Sequence, residues 1–162
     1  MPDMLVKLYA VPSAAPACER LRALGVDVRR GLPPEKHLVT GWVERGFSQH
    51  WASEVDVAFA NRPVSCHLAT REGQLVGFAC YDATCRGFFG PTGVAPEHRS
   101  QGIGAALLLV CLEAMQAVGY GYAVIGGAGP TEFYARVAGA QVIEGSQPGI
   151  YRGMLRGPAG TA

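Results

Sequence analysis

A glycine-rich segment between an apolar run and a long apolar helix constrains this chain more than any other feature. Gly102 and Gly104 follow a predicted strand that ends at Val94, and they open a helix predicted over about 101–118. Because glycine has no Cβ atom, a ligand can approach the backbone closely there. The first N–H groups of a helix lack partners within the helix and lie at the positive end of its dipole. The segment therefore predicts a strand–loop–helix unit whose loop binds phosphate, with Arg99 adding a positive charge.

Two common phosphate-binding loops do not match this segment. A Walker A loop needs Gly-Lys followed by Ser or Thr, which the chain lacks. A dinucleotide-binding fingerprint needs a third glycine three residues after the second, where this chain has Leu107. A glycine turn that only lets the helix pack against a sheet stays open as an alternative.

The order of the predicted elements is typical of a mixed α/β domain with one sheet. Hydrophobic spacing and Gly or Pro punctuation support each assignment. Helices are expected at Pro16 to Leu24, Pro33 to about Arg45, His50 to Phe59, about Gln101 to Val118, and Thr131 to Val137. Strands are expected at Leu5 to Val11, Val64 to Thr70, Gln74 to Tyr81, Gly87 to Val94, Tyr122 to Ile125, Ala140 to Ile143, and Ile150 to Leu155.

Composition and charge exclude several classes of protein. Hydrophobic residues make up 49% of the 162 residues and charged residues 17%, which is too apolar for a disordered chain. The net charge is +1, so no basic excess favours a nucleic acid partner. The chain lacks an apolar stretch of about 18 residues that would span a membrane, and its N-terminus does not resemble a signal peptide. We expect a cytoplasmic protein with one domain over residues 1–156 and a flexible tail over 157–162.

The cysteines and histidines predict neither a disulfide framework nor a metal site. The five cysteines are odd in number and include no Cys-x-x-Cys pair, and the four histidines show no ligand spacing. We therefore expect buried, reduced thiols and no bound metal.

The segment from Val94 to Leu108 resembles the acyl-CoA-binding motif of the GNAT superfamily of N-acetyltransferases. The core of that motif is Arg or Gln, two residues, then Gly-x-Gly or Gly-x-Ala, and Arg99, Gly102 and Gly104 match it. Downstream, residues 133–140 are similar to the Phe-Tyr-x-x-x-Gly-Phe segment of the superfamily, with one more residue before the glycine and Ala in place of the last Phe.

The resemblance extends over about Val64 to Leu155 and implies a fold. That fold is a single GNAT-like domain of the α/β (α+β) class. It has one mixed, mostly antiparallel central sheet flanked by helices, and a helical N-terminal region.

The resemblance also implies an enzyme that uses acetyl-CoA as cosubstrate and transfers its acetyl group to a primary amine by direct attack. The pyrophosphate would lie on the amides of residues 100–105 and the pantetheine along residues 92–94, with an N–H near Val94 stabilising the oxyanion. Tyr134 matches the tyrosine that protonates the departing thiolate. The implied cofactor-binding residues are Thr92, Gly93, Val94, Arg99, Ser100, Gln101, Gly102, Ile103, Gly104 and Ala105.

Two departures from the superfamily leave the proton acceptor open. Many members have a carboxylate on a strand near the motif, but residues 88–94 and 122–125 contain none. Many also have an Asn after the later strand, but residues 126–130 offer no side-chain donor. Glu54, Asp82 and a water chain are the alternatives for the base.

The acceptor and the assembly are equally open. The resemblance implies a small-molecule or peptide amine as the acceptor, and it leaves open a homodimer, which is common in the superfamily. The missing strand carboxylate also keeps open an alternative function, namely a catalytically weak acyl-CoA-binding or sensing module.

Overall fold

The computed structural model describes residues 1–155, in which seven strands form one sheet that five α-helices flank. The predicted tail, 157–162, and the predicted domain limit at 156 lie outside these residues. The strands are β1 (Met4–Lys7), β2 (Val26–Arg30), β3 (Cys66–Arg71), β4 (Gln74–Tyr81), β5 (Phe88–Val94), β6 (Tyr122–Ile125) and β7 (Gln141–Val142). The helices are α1 (Ala15–Ala23), α2 (Lys36–Gly46), α3 (Gln49–Ala60), α4 (Ile103–Ala117) and α5 (Thr131–Ala138).

The strands form a single sheet in the order β2-β3-β4-β5-β6-β1-β7. Every neighbouring pair is antiparallel except β5 and β6, which are parallel. The predicted fold class, a mixed and mostly antiparallel sheet flanked by helices, is confirmed.

Helices cover both faces of the sheet, and each face has its own apolar core. On one face α4 buries a wide row of side chains that includes Leu107 and Leu112, together with residues of α1 and α5. On the other face α2 and α3 pack Val43 and Val55 against Phe78 of β4. Because both faces of β4 are covered, it is buried without interruption over residues 76–81.

Strands β5 and β6 pair at only one end, and this creates a gap in the sheet. Their pairing joins Phe88 to Val124 and Phe89 to Ile125. Beyond these residues β5 continues alongside β4. Pro91 has no N–H group, so it cannot donate a ladder hydrogen bond to a neighbouring strand. The gap therefore opens at the residues that lead into α4.

Strand β2 was not predicted from the sequence. It lies at the edge of the sheet, where it pairs with β3 alone. Asp27, Arg29 and Arg30 interrupt the apolar pattern, although Val26 is buried. Charged side chains are typical of edge strands because they discourage pairing with another chain.

The predicted final strand at Ile150 to Leu155 is wrong. A short 3-10 turn occupies Gly149–Tyr151 instead. The place beside β6 is filled by β1, which pairs with both β6 and β7. The N-terminal strand was also predicted too long, because its hydrogen bonding ends at Lys7 and a 3-10 turn follows at Leu8–Ala10.

The cysteines agree only in part with the expectation of buried thiols. All five are free. Cys66, Cys80 and Cys111 are buried, whereas Cys18 is half-buried and Cys85 is exposed. No helix within residues 1–155 is long and apolar enough to cross a bilayer.

Candidate active site

A cleft of about 1860 Å³ opens at the gap between β5 and β6. Pockets that hold one drug-sized ligand measure about 300–1,000 Å³, so this cleft has room for two substrates. Residues of α3, β5, the start of α4, α5 and the C-terminal 3-10 turn line it. The predicted cofactor-binding residues that line it are Thr92, Gly93, Val94, Arg99, Ser100, Gly102, Ile103, Gly104 and Ala105. Gln101 is the predicted residue that does not.

The start of α4 presents backbone donors at this cleft. Gly102 caps the helix in the left-handed conformation, with φ 87°, and no side chain caps the helix. The first bond into the helix runs from the Ala106 N–H to the Gly102 carbonyl, 3.1 Å. The N–H groups of residues 103–105 therefore lack partners within the helix. Such a helix end attracts an anion, phosphate above all.

Two arginines add positive charge to the cleft lining. Arg99 lies just before α4, is exposed, and donates from Nε to the Val94 carbonyl at 3.2 Å. Arg136 lies on α5. Both lie on elements at the α4 and α5 side of the sheet. The lining there is cationic, as a site for a polyanion requires.

The end of β5 offers a further donor to the gap. The Ala95 N–H donates to the Val76 carbonyl of β4 at 2.9 Å. In an antiparallel pair, successive N–H groups point alternately toward and away from the partner strand. The N–H of Val94, which stands opposite Gly77, therefore points away from β4 toward the gap. An extended ligand lying in the gap can accept this hydrogen bond.

Tyr134 lies on α5 and lines the same cleft. Only 7% of its surface is exposed, and its ring packs edge to face on Phe133 and Phe89, at 5.1 and 6.3 Å between centroids. Among residues 1–155 its hydroxyl has no hydrogen-bond partner. Burial raises the pKa of Tyr134 above its ordinary value, so the phenol stays protonated at neutral pH.

Glu54 lies on α3 and is the one carboxylate among the described residues that line the cleft. The Thr84 hydroxyl, from the loop between β4 and β5, donates a hydrogen bond to Glu54 Oε1. Tyr151, from the C-terminal 3-10 turn, lines the same cleft. Burial and the charges of Glu54, Asp3 and Cys85 raise the pKa of Tyr151, and the Thr84 hydroxyl partly lowers it. Three distant parts of the chain thus contribute side chains to this cleft.

Asp82, the other candidate base, lies outside this cleft. Its Oδ2 accepts from the Tyr120 hydroxyl at 3.0 Å, and its Oδ1 accepts from the Gly87 N–H at 2.6 Å. It lines a separate cavity of about 320 Å³. The geometry therefore brings Glu54, and not Asp82, to the gap between β5 and β6.

The loop after β6, residues 126–130, has no side-chain donor of its own, but side chains from distant parts of the chain contact it. Asp3 Oδ1 accepts from the Gly127 N–H at 2.8 Å. The Tyr151 hydroxyl lies so close to Gly126 that a Cβ atom there would be 2.6 Å away. Sequence reasoning missed Thr84 and Tyr151, because no local pattern indicates which side chains meet this loop or Glu54.

A metal site is not evident in residues 1–155. No group of three or more His, Cys, Asp or Glu side chains is arranged there to hold an ion.

Comparison with known sequences places this geometry in a family context. The family model described as the acetyltransferase (GNAT) family matches residues 34–139. A search of curated proteins finds no match.

Solved acetyltransferase structures share the fold. The GCN5-related glucosamine N-acetyltransferase region of a fungal multi-domain GH3 β-N-acetylglucosaminidase has a TM-score of 0.71 and 16% identity, over 88% of this chain and 19% of that chain. A GCN5-related N-acetyltransferase from Sphaerobacter thermophilus has a TM-score of 0.68 and 23% identity, over 88% and 48%. A GNAT family acetyltransferase from Brucella melitensis, in complex with acetyl-CoA, has a TM-score of 0.50 and 21% identity, over 73% and 86%. This chain thus spans less than half of the first two proteins.

Proposed function

We propose a reaction from one premise: this chain belongs to the acetyltransferase (GNAT) family. The resemblance found in the sequence is therefore confirmed. The proposed reaction is transfer of the acetyl group of acetyl-CoA to a primary amine by direct attack, without an acyl-enzyme. Family membership and the acetyl-CoA complex of the Brucella melitensis relative support acetyl-CoA as cosubstrate.

The observation that carries this proposal is the meeting of two sets of backbone donors in one cleft. The uncapped start of α4 suits a diphosphate, because its amides need acceptors and Arg99 adds charge. The free N–H of Val94 suits an extended ligand in the gap between β5 and β6. A molecule with a diphosphate at one end and an amide-containing arm at the other matches both features.

Tyr134 and Glu54 divide the proton transfers between them in this proposal. The neutral amine nitrogen attacks the thioester carbon, a C–N bond forms, and the C–S bond breaks. Glu54 takes the proton that the amine loses, directly or through water. Tyr134 gives its proton to the departing thiolate, and solvent restores it. The Val94 N–H stabilises the oxyanion that develops on the carbonyl.

Tyr134 is chemically suited to its role. Its raised pKa keeps the phenol protonated at neutral pH, where an acid must hold its proton. Its ring is fixed by Phe133 and Phe89, so the hydroxyl loses little further freedom when substrate binds.

Two measurements on the purified chain test this function. Acetyl-CoA at about 100 times its Kd should stabilise the fold by about 2.7 kcal/mol, which raises the Tm by roughly 5–10 °C. Incubation with acetyl-CoA and a mixed panel of amines should release free CoA thiol. A rise in Tm without thiol release from any amine would favour the acyl-CoA-binding module instead. No rise in Tm and no thiol release would refute both functions.

A further inference from the structure

Among residues 1–155, a single carboxylate lines the cleft, and it belongs to Glu54. Arg99 and Arg136 lie across the sheet, on the elements that face the diphosphate side. The α3 side can therefore neutralise one ammonium group, and it offers no second carboxylate for a polyamine.

An aromatic wall extends from β5 toward that carboxylate. Phe47 and Trp51 stack at 5.3 Å with an angle of 22° between their rings, and both line the cleft. A Cβ atom at Gly93 would lie 2.5 Å from the Phe47 ring, so this ring covers β5 directly. Trp51 stands three residues before Glu54 on α3, and residues at that spacing share one face of a helix.

The C-terminal 3-10 turn adds apolar side chains to the cleft lining. Tyr151 of this turn lines the cleft, and Ile150 and Met154 line it as well, with 50% and 55% of their surface exposed. When a ligand covers apolar side chains that are exposed in a cleft, the burial lowers the free energy of the complex.

We infer, on the basis of the proposed function, that the acceptor is an arylalkylamine: one primary ammonium group joined by a short alkyl chain to a flat apolar ring. Glu54 binds the ammonium group, and the aromatic wall of Phe47 and Trp51 binds the ring. A hydroxylated acceptor such as an amino sugar would leave hydroxyl groups unpaired against this wall. A diamine would bring a second ammonium group, for which the lining within residues 1–155 has no second carboxylate.

A panel of amines that differ in ring, hydroxyl groups or charge tests this inference on the unmodified chain. With saturating acetyl-CoA, thiol release gives kcat/KM for 2-phenylethylamine, ethylamine, n-butylamine, putrescine and glucosamine. We expect 2-phenylethylamine to exceed ethylamine and glucosamine by about tenfold or more, since a buried ring contributes over about 1.4 kcal/mol. We expect n-butylamine to exceed putrescine, from which it differs by one ammonium group.

Two pairs of variants locate the effect. Trp51→Ala should raise KM for 2-phenylethylamine by about fivefold more than it raises KM for ethylamine, whereas Trp51→Phe keeps most of the preference. Glu54→Gln should lower kcat/KM for every amine while the rise in Tm with CoA is retained. Asp56→Asn is its matched control, because Asp56 is an exposed carboxylate on the same helix that pairs with Lys36 at 2.7 Å and does not line the cleft.

The outcomes separate this inference from the function on which it rests. Faster reaction of glucosamine or putrescine, or an equal effect of Trp51→Ala on all amines, would overturn the arylalkylamine class and leave acetyl transfer intact. CoA binding without release from any of the five amines would also overturn that class. Loss of both CoA binding and thiol release in the unmodified chain would refute the proposed function itself.

Discussion

Replacement of Gly93 by alanine should destabilise the fold by crowding the aromatic wall against β5. A Cβ atom at position 93 would lie 2.5 Å from Cζ and 2.6 Å from Cε1 of Phe47, whereas ordinary contact begins at 3.4 Å. The ring would have to move by roughly 1 Å in a close-packed environment. Trp51 and Phe78 hold it there, with centroids at 5.3 and 5.8 Å. Overpacking of this kind costs about 1–3 kcal/mol.

Urea unfolding measures this cost as a lower midpoint at an unchanged slope, and heating should show a Tm lower by roughly 3–10 °C. Gly104→Ala is the matched control at the same cleft. Its Cβ would meet Phe133 and Val94 at an ordinary 3.8 Å, so we expect no loss of stability. A double-mutant cycle with Phe47→Leu should show that the cost of Gly93→Ala falls by about 1 kcal/mol or more once the ring is gone.

Equal stability of Gly93→Ala and the unmodified chain would refute this reasoning. So would a cost that stays the same in the Phe47→Leu background. Either result would mean that Phe47 does not press on β5 in solution, and the aromatic wall would then lose its fixed position beside the gap.

Three further predictions concern the site and the buried histidine. Gly102→Glu should abolish the rise in Tm with CoA, because a carboxylate would repel the diphosphate. Gly102→Gln has the same backbone strain without the charge and should retain part of that rise. An equal rise in Tm for the two variants would refute the charge argument. Tyr134→Phe should lower kcat by about 100-fold with CoA binding unchanged, and unaltered turnover would remove Tyr134 from its role. Burial and the charge of Arg30 lower the pKa of His67 to about 4. The unfolded chain, with a histidine pKa of about 6.5, therefore binds the proton first as pH falls, and about 3 kcal/mol of unfolding free energy is lost between pH 6.5 and 4. His67→Gln should flatten this part of the pH profile, and an unchanged profile would contradict it.

The uncapped start of α4 could be predicted because its features are local in the chain. Strand β5, the turn with Gly102 and helix α4 follow one another directly. Apolar periodicity indicates the two elements, and glycine marks the backbone between them. The motif residues from Arg99 to Ala105, which the resemblance assigned to the cofactor, line one cleft in the structure, with the exception of Gln101.

The strands at and near the sheet edges were harder to predict, because their pairing depends on segments that are distant in the chain. Strand β2 has charges that its edge position tolerates. The segment after β7 is apolar enough for a strand, yet β1 from the other end of the chain already lies between β6 and β7. A local pattern cannot indicate that a place in a sheet is taken.

The acceptor side of the cleft was decided by tertiary structure alone. The sequence offered Glu54 and Asp82 as equal candidates for the base. Folding places Asp82 against Tyr120 in another cavity, and it brings Thr84 to Glu54 and Tyr151 to the same cleft. Thus the sequence by itself determined the uncapped helix end that we propose as the diphosphate site, since neighbouring residues form it. The pairing of distant segments determined which carboxylate reaches the gap between β5 and β6, since only packing brings those segments together.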